Sequence, residues 1–370
     1  MRKRLEATLN WIFPKSRLLL TENLRARLTQ SPLCLIDVGG AMGPDDRWEP
    51  LRPEFVRVMS FEPDARSLKG IGRDTRDLVL PVGLGPSESR KILHLTQGAF
   101  ASSIYPPNEL VLRDFGVMPW YESAGEATIE VTTLADVLAQ YPGWRPDFIK
   151  VDVEGADLDV LKGGGDAIDA ALGVQVEASI ADRNIGAPLQ PELDAWLRTR
   201  GLIPFQFTRE HWIRKNGIHG ATSRPQLAWA DVVYFRSRED VLARLRKAGG
   251  KDAAAGKLAH MLAVLLTYEV HDYALELVET ARDAGIVGRA DADDFERAVK
   301  GSVVGLGGYT LRGGLALTLA FLGGMPLVLM GNKGRQLASF LIRKQAAPLF
   351  GALARASSRG GLQDSCVTDV

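Results

Sequence analysis

Cysteine is nearly absent: the 370 residues hold two, Cys34 inside an apolar run and Cys366 near the C-terminus. A disulfide framework is not indicated, and a reducing compartment, the cytoplasm, is expected. Net charge is absent too, with 45 lysines and arginines against 45 aspartates and glutamates. A chain without bulk basic charge has little with which to hold a phosphodiester backbone, so nucleic acid is not an expected partner. Histidine is scarce, five in all. His94, His211 and His219 lack metal-ligand spacing and read as ordinary surface or core residues, with His211 beside Trp212 as a lesser candidate for an acceptor pocket. No cleavable leader is expected either. Met1-Arg2-Lys3-Arg4 is basic, but the apolar stretch behind it is broken by Asn10, Pro14 and Lys15, so no signal peptide is read.

What is present is ample apolar material, 46% of the chain, enough for a full core and more than one ordinary domain requires. Charge is balanced in total but not in place. Residues 1–27 carry seven basic side chains against Glu6 and Glu22, and residues 300–360 carry eight, with no acid. Both ends suit an anionic surface, and peripheral membrane contact is expected of 300–360. Within that region, 313–331 is a run of nineteen residues without a charge, near the length needed to cross a bilayer. Five glycines and Pro326 interrupt it, which favours a buried or interfacial helical pair over a span.

Short β-rich runs alternate with helical or loop segments from about residue 33 to 236, the pattern of a parallel sheet covered by helices. The expected strands are 33–38, 56–61, 78–82, 147–151, 174–177, 203–207 and 230–235, with 91–95 and 127–131 as an extra pair. Helical spacing marks 134–140 and 191–200. From 239 the chain turns to Ala, Leu and charged residues with Leu258, Leu262, Leu265 and Leu266 at helical intervals. The expected organisation is a basic N-terminal helical segment (1–32), a catalytic domain (33–236) and a mainly helical extension (237–370).

The first chemically informative stretch is Leu35-Ile36-Asp37-Val38-Gly39-Gly40-Ala41-Met42-Gly43, an apolar strand entering a glycine-rich turn. Glycine removes the Cβ atoms that hold a nucleotide-like ligand off the backbone, and Asp37 at the strand end either accepts hydrogen bonds or fixes the loop. The next strand ends at Glu62, where an acid grips both hydroxyls of an adenosine ribose. Asp37, Gly39, Gly43 and Glu62 are therefore the candidate cofactor residues. They do not separate S-adenosylmethionine from a nicotinamide dinucleotide, since both offer a ribose.

A third stretch does separate them. Lys150-Val151-Asp152-Val153-Glu154-Gly155 and Leu161-Lys162-Gly163 resemble the hallmark of FkbM-type methyltransferases, a lysine, an Asp-Val-Glu-Gly turn and a helix ending in Leu-Lys-Gly. Phe61-Glu62-Pro63, Ser102-Ser103-Ile104-Tyr105, Val131-Thr132-Thr133-Leu134-Ala135-Asp136 and Val174-Gln175-Val176-Glu177 add to the resemblance, which covers about 33–236. Where the family's first turn commonly carries Asn two positions after its first glycine, this chain has Ala41. The resemblance implies an α/β fold, a seven-stranded Rossmann-like (class I) methyltransferase sheet, with S-adenosylmethionine as cofactor and a hydroxyl of a sugar, glycan or natural product as acceptor.

Methyl transfer is an in-line displacement in which the protein mainly aligns the reactants and a base takes the acceptor's proton. Asp152, Glu154 and Glu177 close neighbouring strands on the ligand side and are the candidates for orienting the acceptor or acting as base, with Asp152 also counted among the cofactor residues. Clustered carboxylates suit a hard cation too, the lesser reading, and no metal is expected. For Glu154 a turn or helix-cap role is the competing reading. Trp120, Tyr121 and Trp144 are read as sugar-stacking residues or as core anchors. Two other functions stay open: a nicotinamide-dependent oxidoreductase, which leaves the Lys150–Gly155 hallmark unexplained, and a non-catalytic scaffold or membrane-associated binding protein. Oligomeric state is not legible.

Overall fold

The computed structural model describes residues 18–40, 43–68, 71, 76–216 and 224–303. Most of the basic region 300–360 and of the N-terminal segment 1–32, all of the run 313–331, and Ala41, Met42 and His219 lie outside the described residues. The chain forms two compact units, one from Leu20 to Ala298 and one made of 1–19 with 299–370. In the second, the Leu19 backbone N–H donates to Ser302 Oγ at 2.9 Å.

The larger unit begins with α1 (Glu22–Gln30), buried at Leu24 and Leu28, one turn apart. Strands β1 (Leu33–Val38), β2 (Val56–Phe61), β3 (Leu78–Leu80), β4 (Gly83–Leu84), β5 (Ser89–Thr96) and β6 (Ser123–Thr132) follow. Then come α2 (Leu134–Gln140), β7 (Phe148–Val151), α3 (Asp157–Lys162), α4 (Asp166–Ala170), β8 (Gly173–Ser179) and α5 (Gln190–Thr199). The long hairpin of β9 (Leu202–Trp212) and β10 (Gln226–Arg236) leads into α6 (Arg238–Arg246), α7 (Lys251–Thr267), α8 (His271–Asp283) and α9 (Arg289–Ser302).

Seven strands make one sheet in the order β3-β2-β1-β7-β8-β10-β9. All pair in parallel except β10, which runs antiparallel to β8 and β9. This is the expected class I methyltransferase sheet. Strand order reverses between β1 and β7, which places the ligand crevice at the carboxyl ends of those strands. The expected extra pair, 91–95 and 127–131, is the antiparallel core of a small second sheet in the order β4-β6-β5. It stands over one side of the crevice and lines it with Leu93, Ile129 and Val131.

Period-two alternation sorts the side chains onto the sheet's two faces. Ile36, Val38, Ile149, Val151, Val174, Val176, Val232 and Tyr234 share a core with Leu134 and Val137 of α2, Val160 and Leu161 of α3, and Leu193 and Leu197 of α5. Aromatics dominate the opposite face, where Phe148 meets Trp48, Phe235 and Tyr268 with ring centroids 5.6, 6.2 and 4.8 Å away. Tyr268 follows α7, an element buried along most of its length. Its hydroxyl donates to Gln175 Oε1 at 2.8 Å, and the Tyr273 hydroxyl donates to the Arg236 carbonyl at 2.7 Å. The helices after residue 237 thus cover this second face, and the boundary expected at 236 falls inside one compact unit.

His260 of α7 ties the same layer to the amino ends of the strands. Its Nδ1 lies 2.8 Å from Asp147 Oδ1 and its Nε2 lies 2.8 Å from the Ser31 carbonyl. Both neighbours only accept, which favours the doubly protonated ring: burial opposes its charge, but Asp147 and the Ser31 carbonyl outweigh that and raise the pKa. Among the described residues no helix is long and apolar enough to cross a membrane.

Candidate functional site

The carboxyl ends of β1, β2 and β7 border a cleft that is open to solvent. Gly39, Glu62, Asp152 and Glu154 contribute to its wall, with Val82, Leu84 and Ile129 on the apolar side. Four of the residues singled out in the sequence thus line one opening. Gly43 has a left-handed φ of 85° and its N–H donates to the Gly40 carbonyl at 2.8 Å, which closes the first turn.

Gly39 is required by more than ligand access. Its φ is 79°, and a Cβ there would stand 1.9 Å from the Asp152 carbonyl oxygen. The first turn and the hallmark turn are therefore in backbone contact, and no side chain fits between them. A Cβ on Gly163, the last residue of the hallmark, would stand 1.9 Å from the Gly85 carbonyl, so that glycine lets the end of α3 pack on the segment after β4.

Glu62 is buried at the end of β2, with Oε1 accepting the Asp64 N–H at 2.8 Å. Burial pushes its carboxyl above the ordinary range; the Asp64 N–H works against that, while the charges of Asp64 and Asp37 add to it. Asp64 in turn holds Arg66, whose Nη2 donates to Ser102 Oγ at 3.0 Å. Asp37 is fully buried, and neither carboxylate oxygen has a hydrogen-bond partner among the described residues. Burial raises it as well, opposed by Lys150, whose Nζ lies 3.7 Å from Oδ1.

In the hallmark turn Glu154 adopts φ 55° and Gly155 φ 100°. A left-handed non-glycine residue is strained by roughly 1–3 kcal/mol and persists only where its surroundings hold it. Here Ser103 Oγ donates to the Glu154 carbonyl at 2.7 Å, and the Glu154 carboxylate lies 3.0 Å from Arg183 Nη1. The Ser-Ser-Ile-Tyr motif is thereby explained: Ser103 holds the turn and the Tyr105 hydroxyl donates to Asp159 Oδ2 on α3 at 2.6 Å. The Thr-Thr-Leu-Ala-Asp motif is a helix start, with Thr133 Oγ1 accepting the Asp136 N–H at 3.0 Å.

Arg183, buried in the loop after β8, pairs through Nη1 with Glu154, through Nη2 with Glu177, and donates from Nε to Ser179 Oγ at 3.0 Å. Burial raises both glutamates above the ordinary carboxylate range and the guanidinium opposes that rise. One oxygen each of Asp152, Glu154 and Glu177 lies within 4.8 Å of the others, the spacing of a metal cage. Arg183 already brings the counter-charge that a divalent ion would supply to two of them.

Asp152 pairs with Lys150, whose Nζ stands 3.2 Å from Oδ2. The interaction with Asp152 and Asp37 outweighs burial, so the ammonium is held well above its ordinary pKa and stays charged.

Arg183 and Asp231 escaped the sequence reading. Asp231 faces Glu177 across the β8–β10 pairing, and its signal was an acid inside the strand Ala230-Asp231-Val232-Val233-Tyr234-Phe235. Arg183 left no local signal, since its partners are assembled only by the fold. Of the aromatic candidates, Tyr121 is buried in one apolar cluster with Phe115 and Trp212. Trp120 is exposed, and Trp144 lies under the Arg57 guanidinium, 4.5 Å from its centre.

Residues 55–203 match the family model of the methyltransferase FkbM domain. This stretch of the chain is similar to the methyltransferase FkbM domain. The matched stretch runs from just before β2 into the start of β9 and holds Glu62, the hallmark turn, Glu177 and Arg183. The first turn, Asp37–Gly43, precedes it. No curated protein matches the chain. Among solved structures, the crystal structure of EvdMO1 is 11% identical, with 66% of this chain and 50% of that one covered and a TM-score of 0.25. The chain therefore spans half the length of that protein. The putative precorrin-6Y C5,15-methyltransferase targeted domain from Corynebacterium diphtheriae is 14% identical, with 58% and 94% covered and a TM-score of 0.25. The match over 55–203 supports a methyltransferase, and the class I strand order stands on the sheet's own connectivity.

Proposed function

We propose that this chain is a methyltransferase that uses S-adenosylmethionine to methylate a hydroxyl of a sugar, glycan or natural product. The observation that carries the reading is the cleft at the β1, β2 and β7 ends, where Glu62 stands on the wall beside the bare backbone of Gly39. The residues fit the cofactor: a buried carboxylate for the ribose hydroxyls, apolar Val82, Leu84 and Ile129 for the adenine, and in Asp37 an acceptor with no hydrogen-bond partner among the described residues. When bound, S-adenosylmethionine supplies a methyl group already activated on a sulfonium. The chain's own residues then align the acceptor and accept its proton. Asp152 lines the cleft and is held by Lys150, which suits it to orient the acceptor. Glu154 and Glu177, bound to Arg183, keep the turn in shape. The basic region 300–360 is read as a contact for an anionic surface on its sequence alone.

Calorimetric titration with S-adenosylmethionine, and separately with a nicotinamide dinucleotide, tests the reading. S-adenosylmethionine alone is expected to bind. Glu62→Ala is expected to weaken it by roughly 10–100-fold, the equivalent of about 1.5–3 kcal/mol for hydrogen bonds to a charged group. Wild-type protein that binds the dinucleotide, or neither ligand, would refute the cofactor assignment.

A further inference from the structure

The acceptor's proton needs a destination, and the fold offers several carboxylates of which all but one are engaged or enclosed. Glu154 and Glu177 share Arg183. Asp152 is paired with Lys150. Asp157 is buried and accepts the Glu177 N–H at 3.0 Å, and Asp37 is fully buried. Asp231 is different. It is half-buried and has no hydrogen bond or ion pair within the described residues.

Its place in the sheet matters as much as its freedom. Asp37, Lys150 and Gln175 stand side by side on β1, β7 and β8, with Val233 of β10 opposite Gln175. One row nearer the carboxyl edge, Asp231 stands opposite Glu177, and Asp152 directly follows Val151, the partner of Val176. Asp152 also lines the cofactor cleft. The row Asp152, Glu177, Asp231 therefore leads from the cleft outward along the edge where a class I sheet receives its ligands.

We propose that Asp231 is the general base for the acceptor hydroxyl, an inference that rests on the S-adenosylmethionine-dependent O-methyltransferase reading above. The acceptor oxygen forms its bond to the methyl carbon as the carbon–sulfur bond breaks. The bonding pair stays on sulfur, which becomes a neutral thioether, and the hydroxyl proton passes to the Asp231 carboxylate. That side chain is only partly buried, and the proton then leaves to water.

The charged groups facing Asp231 suit this task. Burial together with Asp152 of the hallmark turn and Glu177 of β8 raises its carboxyl, Lys150 of β7 and Arg47 of the turn before β2 oppose them, and the balance pushes it up to about 7. From β9 the neutral Thr208 stands opposite. A base is most effective when its pKa lies near the working pH.

The full-length protein labelled with ¹³C at aspartate carboxyls is titrated by NMR with and without S-adenosylmethionine, alongside Asp231→Asn and Asp231→Glu. A carboxyl with a midpoint near 7 is expected in the wild type and missing from Asp231→Asn, while Asp231→Asn binds S-adenosylmethionine within about threefold of wild type. With a panel of methyl pyranosides, any acceptor turned over is expected to lose roughly 10²–10⁴-fold in rate in Asp231→Asn. The rise of rate with pH through about 7 is lost in that variant and returns in Asp231→Glu. Wild-type protein that fails to bind S-adenosylmethionine overturns the cofactor reading and this inference with it. Binding combined with an Asp231 that titrates in the ordinary carboxylate range overturns this inference alone, whether or not an acceptor turns over.

Discussion

Replacing Arg183 by methionine removes the single cation shared by two buried carboxylates. Arg183 is 2% exposed, and the Glu154 and Glu177 side chains are 11% and 5% exposed, so water cannot replace the lost guanidinium. Breaking a buried ion pair from one side costs about 3–5 kcal/mol, because the remaining charge is left uncompensated. For a unit of this size, where 1 kcal/mol moves Tm by about 2–4 °C, the expected fall is roughly 6–20 °C. The pH dependence gives a second handle. A carboxyl whose folded pKa stands above its unfolded value binds its proton more tightly in the folded state. Its contribution to stability is then complete below the unfolded pKa and is lost as pH rises through the folded pKa. Burial already raises Glu154 and Glu177, and removing the opposing cation raises them further. The deficit of Arg183→Met is therefore expected to be largest at pH 8 and to shrink towards pH 5. Urea unfolding followed by circular dichroism at both pH values measures it, with Arg183→Lys as a partial rescue, since one ammonium lacks the fork that reaches both glutamates. A deficit under about 1 kcal/mol at pH 8, or one that does not change with pH, would refute the reasoning.

Two further outcomes are expected elsewhere in the fold. Gly39→Ala must move the Asp152 carbonyl, 1.9 Å from the added Cβ, and adopt a left-handed φ; it is expected to cost more than about 1 kcal/mol and to weaken S-adenosylmethionine binding, read by urea unfolding and calorimetry. His260→Gln is expected to lose about 1.5–3 kcal/mol at pH 5, the worth of hydrogen bonds to a charged group. Burial opposes the His260 charge, but Asp147 and the Ser31 carbonyl outweigh it and raise the folded pKa, so this contribution is complete below the unfolded value of about 6.5 and fades as pH rises through the folded value. Unfolding free energies of both proteins from pH 5 to 9 should converge at the alkaline end.

How much of this was legible depended on whether the deciding contacts were local. Strands β1 and β2 have the bounds that their apolar runs predict, and α2 matches its helical spacing with Thr133 at its cap. Strands β9 and β10 are longer than predicted because Thr208-Arg209-Glu210-His211 is polar and exposed; backbone pairing with β10 extends the strand where side-chain pattern is silent. The glycines of the first turn were read as ligand access, whereas a Cβ on Gly39 would also strike Asp152 and one on Gly40 the Asp37 carboxylate, 2.2 Å away. Close approach between segments more than a hundred residues apart has no signature in either one. The same limit explains why Glu154 and Glu177 read as free acids: Arg183 pairs with them only after β7 and β8 have been brought together.

That buried arginine also gives the chemistry its economy. The Arg183 carbonyl accepts the Asn108 N–H at 2.8 Å, and Ser103 holds the Glu154 carbonyl, so the same node that neutralises two acids anchors the segment between β5 and β6 to the hallmark turn. With Lys150 committed to Asp152 and Arg183 to Glu154 and Glu177, three of the carboxylates near the row are paired, and the fourth, Asp231, has no hydrogen bond or ion pair within the described residues at a partly buried position. A hydroxyl acceptor needs one unengaged base rather than a uniformly acidic pocket, because every additional free carboxylate would compete for the proton and repel the others. The pairing pattern therefore singles out one carboxylate for proton transfer while the rest hold the turn that shapes the cofactor cleft.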